Sequence, residues 1–474
     1  MTRRFTTFLT GTAMLTAFLC WPGALHAQEQ PPSDEPPKPA ARAYPPVNDT
    51  TDQDQPSPDT LLPDTRPLTG VQNATLGRIE SPHSYWEPGL QYSNTVQNGY
   101  AGSTDNGWST TNYLAATVSL LESWRAAQLA VNYSGGGDFS TDSSIGNGFF
   151  QQVGASQTFQ WQRWQLQFFD QFSYLPQSDF GFGAGTGLGL PGGGVAPGVP
   201  QTGVGTGIVQ SLFTTVGPRY SNNFTTQAIY QLSPRASVNV SGTYGILRFV
   251  NKGNIDDDDA GASVGFNYQL SKEDTLGVVY HFTHLTYIGA TQAIGDHTIS
   301  LAYGKKITGR LALQVLGGPD ITTFSVPIGN VTRTTSGSGG ATLSYAINRG
   351  TLGLSYNHGV TAGSGVYAGA ETDQVTASIG RNLTRVWSAH ANLGFAKNRS
   401  ILGSALENSY DTVTVGGGIS RPFGPNANLS LAYSANIQAS NAPAGCTGAS
   451  CSTTFTQHQV TMNFQWHTRP LVLR

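Results

Sequence analysis

The chain has 474 residues, of which 11% are charged, against roughly 25% in an ordinary soluble domain. Its net charge of −3 excludes the basic footprint of a nucleic-acid-binding protein. Beyond the N-terminus there is no run of roughly 18 or more apolar residues, so no membrane-spanning helix is predicted; strands that alternate in polarity escape this test.

Residues 1–27 have the organisation of a secretory signal peptide. Arg3 and Arg4 precede an apolar stretch over 8–19, and a small residue, Ala27, stands at the expected cleavage site. The arginine pair also admits twin-arginine export, which is disfavoured for a protein that must leave the cytoplasm unfolded. We expect cleavage after Ala27.

Residues 28–82 are rich in Pro, Asp, Gln and Thr and contain few aromatic residues. Such a segment buries too little apolar surface to offset its conformational entropy. It is predicted to be a disordered periplasmic linker with polyproline character. It serves either as a solvated tail or as a tether to the cell wall or a periplasmic partner.

From 83 to 467 the sequence repeats a pattern of strand, turn, strand and loop. Side chains of a strand point to opposite faces with a period of two. In the last strand one side carries Val460, Met462, Phe464 and Trp466, and the other carries Gln459, Thr461, Asn463 and Gln465. Eighteen strands are predicted, over 86–96, 112–122, 126–136, 149–161, 165–175, 217–231, 236–249, 260–270, 275–287, 297–306, 311–323, 338–347, 351–361, 373–382, 386–397, 410–421, 427–438 and 454–467.

The connections alternate between short and long. The short ones include 233–235, 271–274 and 308–310, whereas the long ones include 176–216 and 324–337. Outer-membrane barrels combine short periplasmic turns with longer outer loops. An even number of strands places both termini, including the short tail 468–474, in the periplasm.

On these features residues 83–467 resemble the outer-membrane β-barrel proteins of Gram-negative-type bacteria, of the porin-like kind. The resemblance implies an all-β fold, a closed antiparallel transmembrane β-barrel of about 18 strands, with 16 as the alternative count, in the cell outer membrane. It also implies that the terminal strand is read by the barrel-assembly machinery through Phe464 and Trp466, although the chain continues past them.

Several tryptophans stand near predicted strand ends, where an interfacial girdle or ordinary strand packing would place them. They are Trp108, Trp124, Trp161, Trp164, Trp387 and Trp466.

The predicted inward positions are mostly neutral and polar. The candidate lumen-lining residues are Asn239, Ser241, Asn267, Gln269, His390, Asn392, Asn428, Gln459, Asn463 and Gln465. Charges such as Arg381, Lys397 and Arg421 stand near strand ends. Such a lumen favours neutral polar solutes such as saccharides and gives little selection by charge.

The loop 176–216 is rich in glycine and has no charged residue between Asp179 and Arg219. It is predicted either to fold inward as a plug or to be a mobile outer loop. Its Gly-x-Gly runs lack the strand–helix context of a nucleotide site.

Two short motifs fall in predicted outer loops. Asp256–Asp259 is predicted to be a solvated acidic turn, with cation binding as the alternative, because its spacing is not that of a calcium loop. Cys446 and Cys451 are predicted to form a local disulfide in the last outer loop, since export leads to an oxidising compartment.

Catalysis is not predicted. His281, His284, His390 and His458 are scattered over predicted strands without a nucleophile motif or paired carboxylate. His281 and His284 would point to opposite faces of a strand, so they do not form one metal site. No cofactor or metal is expected.

The predicted function is a channel for neutral polar solutes, including saccharides or an exported exopolysaccharide. The alternative is a structural or surface-interaction barrel that its glycine-rich loop occludes. The expected partners are outer-membrane lipid and lipopolysaccharide, the barrel-assembly machinery and, through the linker, the cell wall.

Overall fold

A computed structural model describes ten stretches of the chain, all within one compact unit, Pro56–Arg474. They are 84–98, 107–141, 147–175, 218–250, 255–289, 291–328, 330–363, 368–401, 409–440 and 455–473. The predicted signal peptide and linker, the glycine-rich loop and the two cysteines lie outside these residues. No helix in the described stretches is long and apolar enough to cross a bilayer.

The described residues form nineteen β-strands. The first nine are β1 (Ser84–Asn98), β2 (Trp108–Ser123), β3 (Ala127–Ser140), β4 (Gly148–Gln160), β5 (Trp164–Leu175), β6 (Arg219–Ser233), β7 (Ala236–Phe249), β8 (Asp256–Gln269) and β9 (Asp274–Ile288). The others are β10 (Ala293–Lys306), β11 (Leu311–Ile328), β12 (Val331–Ile347), β13 (Gly350–Thr361), β14 (Ala370–Asn382), β15 (Ser388–Ser400), β16 (Ser409–Phe423), β17 (Ala427–Ser440), β18 (Phe455–His467) and β19 (Leu471–Leu473).

Strands β1 to β18 close into one antiparallel barrel. Each strand pairs with its neighbours in sequence, and β1 pairs with β2 on one side and with β18 on the other. The closing register runs from Gly89 opposite His467 to Asn98 opposite His458. The predicted closed barrel of eighteen strands is therefore confirmed. The short strand β19 extends the closure, because Leu471–Leu473 of the C-terminal tail pairs with the first residues of β1.

The two faces of the wall differ as the alternation predicts. Along β18, Met462 and Trp466 are exposed, whereas Thr461 and Asn463 on the opposite face are buried. Exposed Leu, Val, Ile, Phe and Tyr side chains continue around the outer face. A closed barrel with an apolar outer belt buries every backbone polar group of its wall and presents hydrocarbon to lipid. The chain is thus an outer-membrane β-barrel, as predicted.

Exposed aromatic side chains mark the periplasmic rim of this belt. Trp124, Trp161 and Trp164 lie at the short connections between β2 and β3 and between β4 and β5. Arg421 lies over the Trp387 ring, 5.4 Å from its centroid. Amphipathic rings at this level are typical of a membrane interface.

Several strands begin or end farther from the membrane than the sequence predicts. β8 begins at Asp256, so the prediction that Asp256–Asp259 is a loop is wrong: Asp257 pairs with Leu247 and Asp259 with Gly245. The predicted loop 324–337 is mostly a hairpin of β11 and β12, in which Thr323 pairs with Arg333. In both places the partner strand supplies hydrogen bonds that local sequence does not reveal.

Candidate functional site

The inner face of the barrel carries all ten predicted lining residues. Asn239, Ser241, Asn267 and Gln269 lie on β7 and β8, His390 and Asn392 on β15, and Asn428, Gln459, Asn463 and Gln465 on β17 and β18. Each stands at a position that alternates with the exposed apolar side chains of its strand.

Hydroxyl and carboxamide groups pair across neighbouring strands on this face. Ser241 Oγ lies 2.6 Å from Ser263 Oγ. Thr95 Oγ1 lies 3.1 Å from Thr461 Oγ1 across the closing pair of strands. Cross-strand bonds of this kind satisfy part of the polar capacity of the wall and fix its register.

Many of these inward polar side chains are shielded from solvent. Asn239 and Gln438 have no exposed surface, and Thr95 retains 1%. Strands that are not neighbours in the barrel make few contacts with one another, and the largest of these small contacts is between β10 and β12. The described wall therefore does not collapse across the lumen.

Four carboxyl groups face inward on one side of the barrel, which we call the acidic wall. They are Asp257 and Asp259 of β8, Asp296 of β10 and Asp320 of β11. All four are buried. The strand register places Asp296 next to Thr322, and Asp320 next to Thr298.

Hydroxyl groups surround Asp296. Thr322 Oγ1 donates to Asp296 Oδ1 over 3.2 Å, and Thr298 Oγ1 donates to Oδ2 over 3.4 Å. The carboxyl groups of Asp296 and Asp320 also lie within hydrogen-bonding reach of one another. The two carboxyl groups and the two threonine hydroxyls therefore form one hydrogen-bonded cluster.

The opposite side of the lumen, which we call the neutral wall, is made by β16, β17 and β18. Its buried inward polar side chains are hydroxyls and carboxamides, and they include Thr412, Thr414, Asn436, Gln438, Gln459, Thr461 and Asn463. The two walls give the lumen an electrostatic asymmetry that the sequence did not reveal.

The basic residues that stand near strand ends face away from the lumen. Arg381, Lys397 and Arg421 stand on the outer face, in phase with exposed Ile379, Phe395 and Ile419. The expectation of a lumen with little charge selection stays a prediction, because the described inner face carries both the acidic wall and the inward Arg219. The carboxyl groups of the acidic wall were missed because most of them occupied segments predicted to be loops.

The described ends of the connection between β13 and β14 pack against the inner face of the barrel. We call Val360–Gly363 together with Ala368–Ala370 the inward tip. Ala362 is buried against Leu285, Ile294 and Phe324, whose side chains lie on the inner face of β9, β10 and β11. Because these side chains stand directly above Thr283, Asp296 and Thr322 in the register, the inward tip covers the outer end of the acidic wall.

Gly369 makes this close approach feasible. Its φ is +95°, in the left-handed region that favours glycine, and a Cβ there would overlap with Ile294 Cδ1. The pairing between β12 and β13 stops short of the outer end of the wall, which leaves space for the tip. β12 pairs with β13 only from Gly339 to Ile347, whereas its outer part, from Val331, pairs with β11 alone.

The histidines do not converge. His281 lies on the inner face of β9, with Nε2 2.7 Å from Thr283 Oγ1, whereas His284 is exposed on the outer face. His458 is also on the outer face, 2.8 Å from the Tyr433 hydroxyl. Within the described stretches no group of three or more His, Cys, Asp or Glu side chains is arranged to hold a metal ion.

Comparison with known proteins identifies only distant structural likeness. No family model matches the chain, and no curated protein matches it. Solved structures that align with it include the outer-membrane protein OpdK of Pseudomonas aeruginosa, at 11% identity and a TM-score of 0.41, over 81% of this chain and 99% of that one. OccK2 (OpdF) of P. aeruginosa in complex with glucuronate aligns at 7% identity and a TM-score of 0.43, over 82% and 98%. OccAB3 of Acinetobacter baumannii aligns at 9% identity and a TM-score of 0.41, over 81% and 99%.

Proposed function

We propose that this porin-like outer-membrane β-barrel is a channel for small polar solutes. The observation that carries the proposal is the closed barrel of eighteen strands with an apolar outer face and a polar inner face. Barrels of this strand number are wide enough for an aqueous channel. A wall of hydroxyls and carboxamides offers hydrogen bonds to a solute that sheds part of its water.

The solutes that fit this lumen are neutral or cationic. The neutral wall presents the donors and acceptors that saccharides use, which keeps saccharides and exported polysaccharide chains among the proposed solutes. The acidic wall adds carboxyl groups at the outer half of the lumen, and rings or rows of acidic side chains favour cations over anions. Anionic solutes are therefore expected to pass least readily.

Reconstitution into planar bilayers tests the proposal. The purified full chain should give steady conductance steps, and a salt gradient should give a reversal potential of the sign that marks cation preference. Liposome swelling with sugars of graded size then reports the solute range. Absence of both conductance and swelling from correctly folded protein would overturn the channel.

A second candidate is an occluded barrel with a structural or surface role. It is favoured by the burial of inward side chains such as Asn239 and Gln438, and by the inward tip. This candidate predicts no conductance even after the tip has been displaced by substitution. The channel predicts that the same substitution increases the current.

The partners also remain proposals. The outer end of the barrel carries a charged cluster in which Arg399 Nη2 lies 3.6 Å from Glu371 Oε2 and 3.5 Å from Asp373 Oδ2. Groups of this kind suit the headgroup level of lipopolysaccharide. The terminal strand, with Phe464 and Trp466 on its lipid face, is the proposed contact for the assembly machinery, and the linker is the proposed contact for the cell wall.

A further inference from the structure

Asp170 lies in the middle of the lipid-facing belt. It is on the outer face of β5, between Phe168 and Phe172. Toward the periplasm the Trp164 and Tyr230 rings are 4.5 Å apart, and toward the outside the Tyr174 and Tyr220 rings are 4.6 Å apart. Paired aromatic rings of this kind mark the two membrane interfaces, so the carboxyl group lies within the hydrocarbon band.

The barrel gives this carboxyl group one side-chain donor and one backbone donor, the N–H of Gln171. Asn222 Nδ2 on the adjacent strand donates to Asp170 Oδ1 over 2.9 Å. An ionised carboxylate offers about four acceptor positions. Acidic groups inside a membrane are rare and usually face a protein partner rather than acyl chains. The pair is thus unusual for a surface that meets only lipid.

Polar or small side chains also lie on the surrounding outer face, among Phe168, Phe172 and Phe224. The Asp170 patch, as we define it, comprises Gln151, Ala155, Gln157, Asp170, Asn222 and Thr226. The matching level on β15 to β18 carries Leu393, Phe395, Val415, Leu431, Val460 and Met462, all exposed. Outward acidic side chains elsewhere in the described strands stand near strand ends: Glu122, Asp258, Asp274, Glu371, Asp373 and Asp411.

We propose that the Asp170 patch is the interface between two copies of this chain in the membrane. The patch holds an acidic acceptor flanked by carboxamide and hydroxyl donors from Gln157, Asn222 and Thr226, so a second copy offers the donors that the carboxylate lacks. Ala155, which pairs with Asp170 on the adjacent strand, leaves room for close approach. Small side chains and polar pairs hold membrane interfaces together where hydrophobic burial gives no net drive.

Disulfide cross-linking in native outer membranes tests this interface. In a background with Cys446→Ser and Cys451→Ser, Ala155→Cys should give a cross-linked homodimer under mild oxidation. Val415→Cys, at an exposed position on the opposite side of the barrel, is the matched control and should give little. Ala155→Cys combined with Asp170→Leu should lose most of the cross-link, and Asp170→Asn, which retains a polar group of the same shape, should keep more of it.

Folding is checked separately by the heat-dependent shift in gel mobility that closed barrels show. Asp170→Leu should fold, because it replaces a carboxyl group by an apolar side chain in an apolar belt. A cross-link of equal yield at Ala155 and Val415 would overturn the proposal. So would an unchanged yield in folded Asp170→Leu, or a product that contains only another protein.

Discussion

The acidic wall and the neutral wall use the same strand geometry for different chemistry. On the neutral wall the buried polar side chains that face inward are hydroxyls and carboxamides, and Thr461 of this wall bonds directly to Thr95 of the adjacent strand β1. On the acidic wall Asp296 is held by threonine hydroxyls and lies against a second carboxyl group. Ala362 of the inward tip packs against this side, whereas Ala370 packs against Tyr410 of β16. The inward carboxyl groups and the contacts of Ala362 therefore lie on the same side of the barrel.

Displacing the inward tip should have the largest effect, and the quantity that changes is the channel conductance. Gly369→Ala places a Cβ too close to Ile294 Cδ1, so either that methyl group or the tip must shift. We expect the single-channel conductance in planar bilayers to increase severalfold, because the outer end of the acidic wall is uncovered. Gly289→Ala is the matched control: its φ of +86° imposes the same backbone strain, but its Cβ meets nothing within 4 Å. Equal conductance of the two variants would contradict the docking of the tip.

Neutralising the acidic wall should change selectivity more than current. The double variant Asp296→Asn and Asp320→Asn keeps side-chain size while it removes the negative charge of the pair. We expect the cation-to-anion permeability ratio, measured from reversal potentials in a potassium chloride gradient, to fall toward unity. Asp411→Asn removes a carboxyl group from the outer face of β16 and should leave the ratio unchanged.

The same substitutions at high ionic strength sharpen the test. Salt screens electrostatic interactions, so that the Debye length is about 10 Å at 0.1 M and about 3 Å at 1 M salt. The difference between wild type and the double variant should therefore shrink as salt rises. A difference that persists at 1 M would point to a change of pore size instead of charge.

The neutral wall could be predicted from sequence because its strands are long and strictly alternating. In β18 the period of two placed Gln459 and Asn463 on one face without reference to any other part of the chain. The outer belt followed from the same pattern. Local alternation is enough when every strand of a wall carries the signal by itself.

The acidic wall could not be predicted in this way. Asp257 and Asp259 belong to four consecutive aspartates, which resemble a solvated turn, and they become strand residues only through their pairing with Leu247 and Gly245. The inward tip depends on contacts between Ala362 and Phe324, which are remote in sequence. Such long-range pairings have no local signature, which explains why the predicted strands began too late in this part of the chain.

The smallest expected effect is on the stability of the barrel, and it comes from the hydroxyl pairs between the two strands that close it. Thr461→Val removes one partner of the 3.1 Å contact and leaves the buried Thr95 hydroxyl without it, which should destabilise the barrel by about 1 kcal/mol. The double variant with Thr95→Val replaces both groups by apolar ones of the same shape and should be less destabilised than the two single variants together suggest. Urea unfolding, followed by gel mobility, measures the difference. Permeability ratios should not move, because no charge has changed; additive losses in the double variant would show that the two hydroxyls act independently, with no bond between them.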